Sequence, residues 1–183
     1  FTPRERDYQI HEVIVDNDHP HRNGTYIESF RRKQKNIKWK TTERPGFAQI
    51  KDIYEACDSP FTDGTARYVP TVTSAKDEGL AQWVPNIPEE GKYAVYVTYQ
   101  SYENSTDEAT YTVHHKGGVT QFKVNQQIGG GTWVYLGTFE FDQGEHDYGM
   151  VALSSHSHHK GIITADAVRF GGGMGNIVPE GRN

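Results

Sequence analysis

Hydrophobic and polar positions alternate with a period of two through much of the chain. In KYAVYVTYQ (92 to 100), Tyr93, Val95, Val97 and Tyr99 share one face while Ala94, Tyr96 and Thr98 share the other. A helix cannot use that spacing, whereas a strand sorts such residues onto opposite sides. The same alternation predicts strands in ATYTVHH (109 to 115) and VTQFKVN (119 to 125). Lys116-Gly117-Gly118 between them predicts a hairpin, because glycine reaches the positive φ angles of tight turns. TWVYLGTFEF (132 to 141), YGMVALS (148 to 154) and GIITADAVRF (161 to 170), punctuated by Asp142-Gln143-Gly144 and Lys160-Gly161, bring the total to at least six antiparallel strands. Further strands are predicted in QIHEVIVDN (9 to 17), ARYVPTV (66 to 72) and LAQWVP (80 to 85), with Pro70 and Pro85 confining the last two to edges or strand ends.

Periodicity fails between residues 18 and 64. That stretch is expected to be a loop-rich insertion with at most a short strand around Asn36 to Lys40 and a helical turn at IKDIYEA. The glycine-rich 173 to 183 is expected to be a C-terminal linker, leaving 1 to 172 as a single domain. Composition strengthens the β reading: 11 Tyr, 8 Phe, 3 Trp and 19 Gly stand against 2 Met. At 183 residues the chain can bury a core without covalent staples, and the lone Cys57 can form no disulfide within it. No apolar run approaches the roughly 20 residues of a membrane helix, so no membrane insertion is expected.

The net charge of −5 argues against nucleic acid as a partner. It conceals nine Lys/Arg between residues 22 and 51, including RRKQKNIKWK. Trp39 there, with Lys38 and Arg32, could stack on a sugar ring and pair with its carboxylates. These three, with Tyr26 and Tyr102, form the candidate ligand-binding set; the alternative is a solvated charge run whose tryptophan plugs the core. The histidines (His19, His21, His114, His115, His156, His158, His159) match no short zinc spacing, and no metal or cofactor is expected, although the Asp16 and Asp18 carboxylates could hold calcium. No Gly-x-Ser-x-Gly elbow and no phosphate loop is present, so IGGG and HHKGG are expected to serve the backbone as turns.

AQWVPNIPEEGKYAVYVTYQ, then VNQQIGGGTWVYLGTF, then ITADAVRFGG follow one another in an order that resembles the golvesin C-terminal-like, or xanthan-lyase carbohydrate-binding-like, domain over residues 80 to 173. The resemblance implies an antiparallel β-sandwich of jelly-roll type, built like a carbohydrate-binding module. It further implies a non-catalytic accessory part of a secreted, multidomain hydrolase of the kind found in Bacteroidetes. Its partners would be an acidic polysaccharide or cell-wall glycan and a neighbouring catalytic domain. The alternatives are a domain-organising module with no glycan site and a metal-dependent hydrolase built on the histidines. Within this frame Trp83 and Trp133 are expected as core anchors. Asp166 is expected inside, hydrogen-bonded to a turn or to Arg169, because a buried carboxylate must be satisfied.

Overall fold

The computed structural model describes residues 11–32, 36–48 and 64–172. Twelve strands run through them: β1 (Glu12–Asp16), β2 (Gly24–Phe30), β3 (Lys40–Thr41), β4 (Arg67–Pro70), β5 (Gly79–Pro85), β6 (Gly91–Thr98), β7 (Ala109–His115), β8 (Gly118–Val124), β9 (Val134–Phe141), β10 (Met150–Ser154), β11 (Ile162–Ala165) and β12 (Ala167–Gly171). One 3₁₀ turn, Ala75–Asp77, is capped by the Ser74 hydroxyl. No helix among the described residues is long and apolar enough to cross a membrane.

The strands form an antiparallel β-sandwich. A four-stranded sheet has the order β1-β12-β6-β9 and a five-stranded sheet the order β2-β5-β10-β7-β8, with a small third sheet, β11-β4-β3, beside them. Register lines up the core. Val13, Phe170 and Val95 share one cross-strand row, as do Val15, Val168 and Val97. From the other sheet come Tyr26, Trp83, Val151 and Val113 in one row and Ala81, Leu153, Tyr111 and Phe122 in the next. These rows bury branched and aromatic side chains between the sheets, which is the main source of a sandwich's stability. Pro70 and Pro85 are the last residues of their strands, where a missing N–H disrupts no inner ladder.

Two expectations are corrected, at β2 and at Asp166. Residues 24 to 30, expected to lie in a loop, form β2 and pair with all of β5. β6 is buried on both faces, since Ala94, Tyr96 and Thr98 are covered as well as Tyr93, Val95 and Val97. The single strand expected over 161 to 170 breaks at Asp166, where the chain leaves the small sheet for the four-stranded one. The Asp166 carbonyl is thereby freed from any ladder and accepts from Trp83 Nε1 (3.2 Å) and Asn17 N (3.2 Å). The helical turn expected at IKDIYEA and the linker at 173 to 183 lie outside the described residues.

Candidate functional site

The five residues expected to bind ligand do not converge. Trp39 is only 8% exposed and packs into the core with Phe30 and Ile37, so neither face of its indole is open to a sugar. The short β3 that follows it is tied to β4, and Arg67 Nη2 donates to the Trp39 carbonyl (3.2 Å), which fixes the backbone with the ring turned inward. Tyr26 is buried against Trp83 with ring centroids 5.5 Å apart. Its hydroxyl donates to Glu28 (2.7 Å), and burial holds its pKa far above the ordinary value for tyrosine. Arg32 reaches Asp77 beside the 3₁₀ turn (2.8 Å), and Lys38 is exposed. Tyr26 lines a recess of about 420 Å³ whose polar groups pair with one another, and Tyr102 lines a separate one.

That recess has a volume of about 330 Å³ and is lined by Thr41, Thr42 and Glu43 after β3, Tyr68 of β4, Tyr102 and Asn104 of the loop after β6, and Ile162 of β11. The sequence builds it through one buried amide. Gln100 Nε2 donates to the carbonyls of Arg44 (3.0 Å) and Pro45 (2.8 Å), while its Oε1 accepts from the Tyr102 hydroxyl (2.7 Å). Gln100 is itself held to β11, its N–H donating to Thr164 Oγ1 and its carbonyl accepting from that hydroxyl. Arg44 then lies 4.0 Å above the Tyr102 ring and donates to the Ser101 carbonyl (2.7 Å). The result is two half-buried tyrosine rings, a carboxylate, two threonine hydroxyls and an amide around one concave surface, with a guanidinium at its edge. Such a set can pack against a sugar ring and hydrogen-bond its hydroxyls. Tyr68, Asn104, Glu43 and Arg44 were absent from the expected set. The sequence separates Glu43 from Asn104 by 61 positions; the β3–β4 pairing, the Gln100 amide and the Ile162 N–H on the Asn104 carbonyl (2.9 Å) bring them together.

The polar groups of the neighbouring recess, which shares Thr41 with this one, are closed on one another. Arg67 makes a forked pair with Glu28 (2.8 and 2.9 Å), and that hydrogen bonding raises the guanidinium's pKa. Asp18 accepts from Thr65 N (2.7 Å) and from the Thr65 hydroxyl. Asp166 Oδ2 accepts from Phe47 N (2.8 Å), in an extended segment rather than in the turn expected. Arg169 is not its partner; it donates to the Gly171 carbonyl (3.1 Å), pairs with Glu12 (3.5 Å) and lies 4.4 Å from the Tyr96 ring. Burial, above all, pushes the Asp166 carboxyl up to about 8, and Asp16 and Asp18 add to the rise.

Trp133 is half-buried, not a core anchor. It precedes β9 on the outer face of the four-stranded sheet, edge-on to Phe47 (5.2 Å) and 5.8 Å from Arg169. Trp83, with no exposed surface, occupies the core centre. The glycine run before Trp133 serves the backbone: Gly129 and Gly131 have φ near +80°. It also walls a cleft of about 510 Å³ between β8 and β9, together with Tyr99, Phe122, Val134 and Leu136. Gln126, fully buried, anchors the stretch by bonding Tyr111 (3.1 Å) and both backbone groups of Thr164 (2.9 Å each).

Two of the histidines brace turns. His159 Nδ1 bonds Asp107 (2.6 Å), which raises the imidazole's pKa, and His156 bonds the Thr73 carbonyl (3.1 Å). Among the described residues no group of three or more His, Cys, Asp or Glu is placed to hold a metal ion.

A xanthan lyase of Bacillus sp. (strain GL1) is 31% identical over 105 residues, 57% of this chain and 11% of that protein. The chain thus spans about a tenth of the relative's length. The solved Paenibacillus xanthan lyase aligns with 81% of this chain and 13% of its own at 23% identity and a TM-score of 0.49. An Arthrobacter globiformis T6 isomalto-dextranase, solved with panose, aligns with 92% of this chain and 24% of its own at 16% identity and a TM-score of 0.45. The Golvesin C-terminal domain model matches residues 58–172. With more than half its length matched, the chain belongs to the Golvesin C-terminal domain family.

Proposed function

We propose that this domain is a non-catalytic, carbohydrate-binding accessory module of a longer, extracellular polysaccharide-degrading protein. The observation that carries the reading is the recess in which half-buried Tyr68 and Tyr102 face the hydroxyl, amide and carboxylate groups of Thr41, Thr42, Asn104 and Glu43. Support comes from the family and from the likeness to part of a xanthan lyase. A ligand enters between the tyrosines, displaces poorly held water from their rings, and exchanges its hydroxyl hydrogen bonds for those of the rim. Arg44 at the edge favours a glycan bearing carboxylates over a neutral one. Chemistry on the glycan belongs to a neighbouring catalytic domain.

Calorimetric titration with xanthan oligosaccharides, a neutral glucan and a cell-wall glycan fragment tests this. Tyr102→Ala and Tyr68→Ala should each weaken binding about tenfold, or ~1.4 kcal/mol, and added salt should weaken only the acidic ligand. Trp39→Phe should leave affinity unchanged. Absence of binding by every glycan at low salt, or binding that survives both tyrosine variants, overturns the proposal.

A further inference from the structure

Several turns meet at the end of the sandwich away from the Tyr102 recess. Glu90 stands just before β6, Lys116 in the β7–β8 hairpin, Asp142 just after β9, and His146 and Tyr148 in the turn from β9 to β10. The length of β6, about 26 Å, separates this corner from the loop that carries Tyr102. Lys116 Nζ lies 3.4 Å from one Asp142 oxygen and 3.9 Å from Glu90, while the other Asp142 oxygen accepts from the Tyr148 hydroxyl (3.2 Å). The His146 ring stacks on Tyr148 with centroids 4.6 Å apart, and its Nε2 bonds the Gln143 carbonyl (2.7 Å). Tyr148 is thus held at its hydroxyl and over one face. It is nevertheless 46% exposed, the one aromatic among the large hydrophobic side chains that stand in solvent in the described residues.

We infer that this corner is a second carbohydrate site, which takes a neutral hexopyranose ring on the open face of Tyr148. Three features select that ligand. A pyranose offers a face of C–H groups edged by hydroxyls, and the open aromatic face here is edged by carboxylates that accept from hydroxyls and an ammonium that donates to them. The ring is set before the ligand arrives, because the His146 stack and the Asp142 bond leave it little rotamer freedom to lose. Charge favours a neutral sugar: Glu90, Asp142 and the neighbouring Asp147 outnumber Lys116 and repel a uronate. The recess edged by Arg44 has the opposite preference, so the two ends of the module sort neutral from acidic stretches of glycan. The site at Tyr148 shares no residue with that recess and stands without it.

NMR titration of the whole 183-residue chain with a neutral glucan pentasaccharide, and with an oligouronate of equal length, tests the assignment. The glucan should move the amide signals of Lys116, Asp142 and Tyr148, and the oligouronate should bind there about threefold more weakly. Tyr148→Phe keeps the ring and should hold the affinity for glucan. Tyr148→Leu keeps bulk without a flat face and should weaken it about tenfold. The position is exposed, so both variants should keep the native melting temperature. Tyr102→Ala should leave the response of these signals unchanged, which separates failure of this site from failure of the recess. No movement of the signals at millimolar glucan, equal effects of the two Tyr148 variants, or equal binding of the oligouronate overturns the inference.

Discussion

Asp166 joins three parts of the molecule through one residue: its carbonyl holds Trp83 and Asn17, and its carboxylate holds Phe47. Burial raises its pKa from 3.8 to about 8, so at neutral pH the folded chain keeps a proton that the unfolded chain has lost. Because the folded state binds more protons between those values, the stability that this carboxyl contributes is fully present below 3.8, falls as pH rises towards about 8, and is lost beyond. The slope from this one group is at most ~1.4 kcal/mol per pH unit. Urea midpoints measured from weakly acidic to weakly alkaline pH should therefore fall for the native chain. Asp166→Asn, which keeps an oxygen for Phe47 N, should flatten that fall; an equal slope in the variant would place the titration elsewhere. That Asp166 lies inside was legible from its apolar neighbours in TADAV. Its partner was not, because Phe47 is 119 residues away and nothing local marks it. Trp39 misled for a related reason: charge on both sides suggested a surface, but two exposed lysines can flank an inward ring on an extended chain.

The loop between β8 and β9 turns on glycines that differ in kind. Gly131 needs its φ of +81° but has open space where a side chain would go. Gly130 has no such φ, yet a Cβ there would lie 2.5 Å from Ser101 N and 2.9 Å from Ser101 Cβ. Gly131→Ala should cost about 1 kcal/mol of left-handed strain, and Gly130→Ala more, since the backbone at Ser101 must move. Chemical denaturation of the two variants checks the order; equal losses would mean that the loop relaxes freely. Strands with strict alternation, such as β7 and β8, were legible because one buried face imposes a period of two. β2 was not. NGTYIESF is short, bounded by turn residues and joined to a basic run, and its strand character comes from pairing with β5. The outward position of Trp133 was equally hidden, since it stands before the first paired residue of β9 and strand alternation does not reach it.

Residues 58–172 match the family, yet the sandwich does not close within them. β1 covers β12 and β2 covers β5, and Val13, Val15, Tyr26 and Trp39 fill the same core as the strands that follow. A fragment of residues 58–172 should consequently lose its cooperative thermal transition, while residues 11–172 should retain it; calorimetry of the two separates this from a core that the matched region completes alone. Sheet membership was beyond sequence reading, because alternation shows that a strand has a buried face and not which neighbour it takes. The β1–β12 pairing also decides how the fold answers tension. Glu12 is paired with Gly171, so the chain comes in and goes out at the same end of one antiparallel ladder. A pull applied through both flanks loads that ladder rung by rung, like a zipper, and never shears all its hydrogen bonds at once. A ladder loaded in that way opens at lower force than one sheared along its whole length.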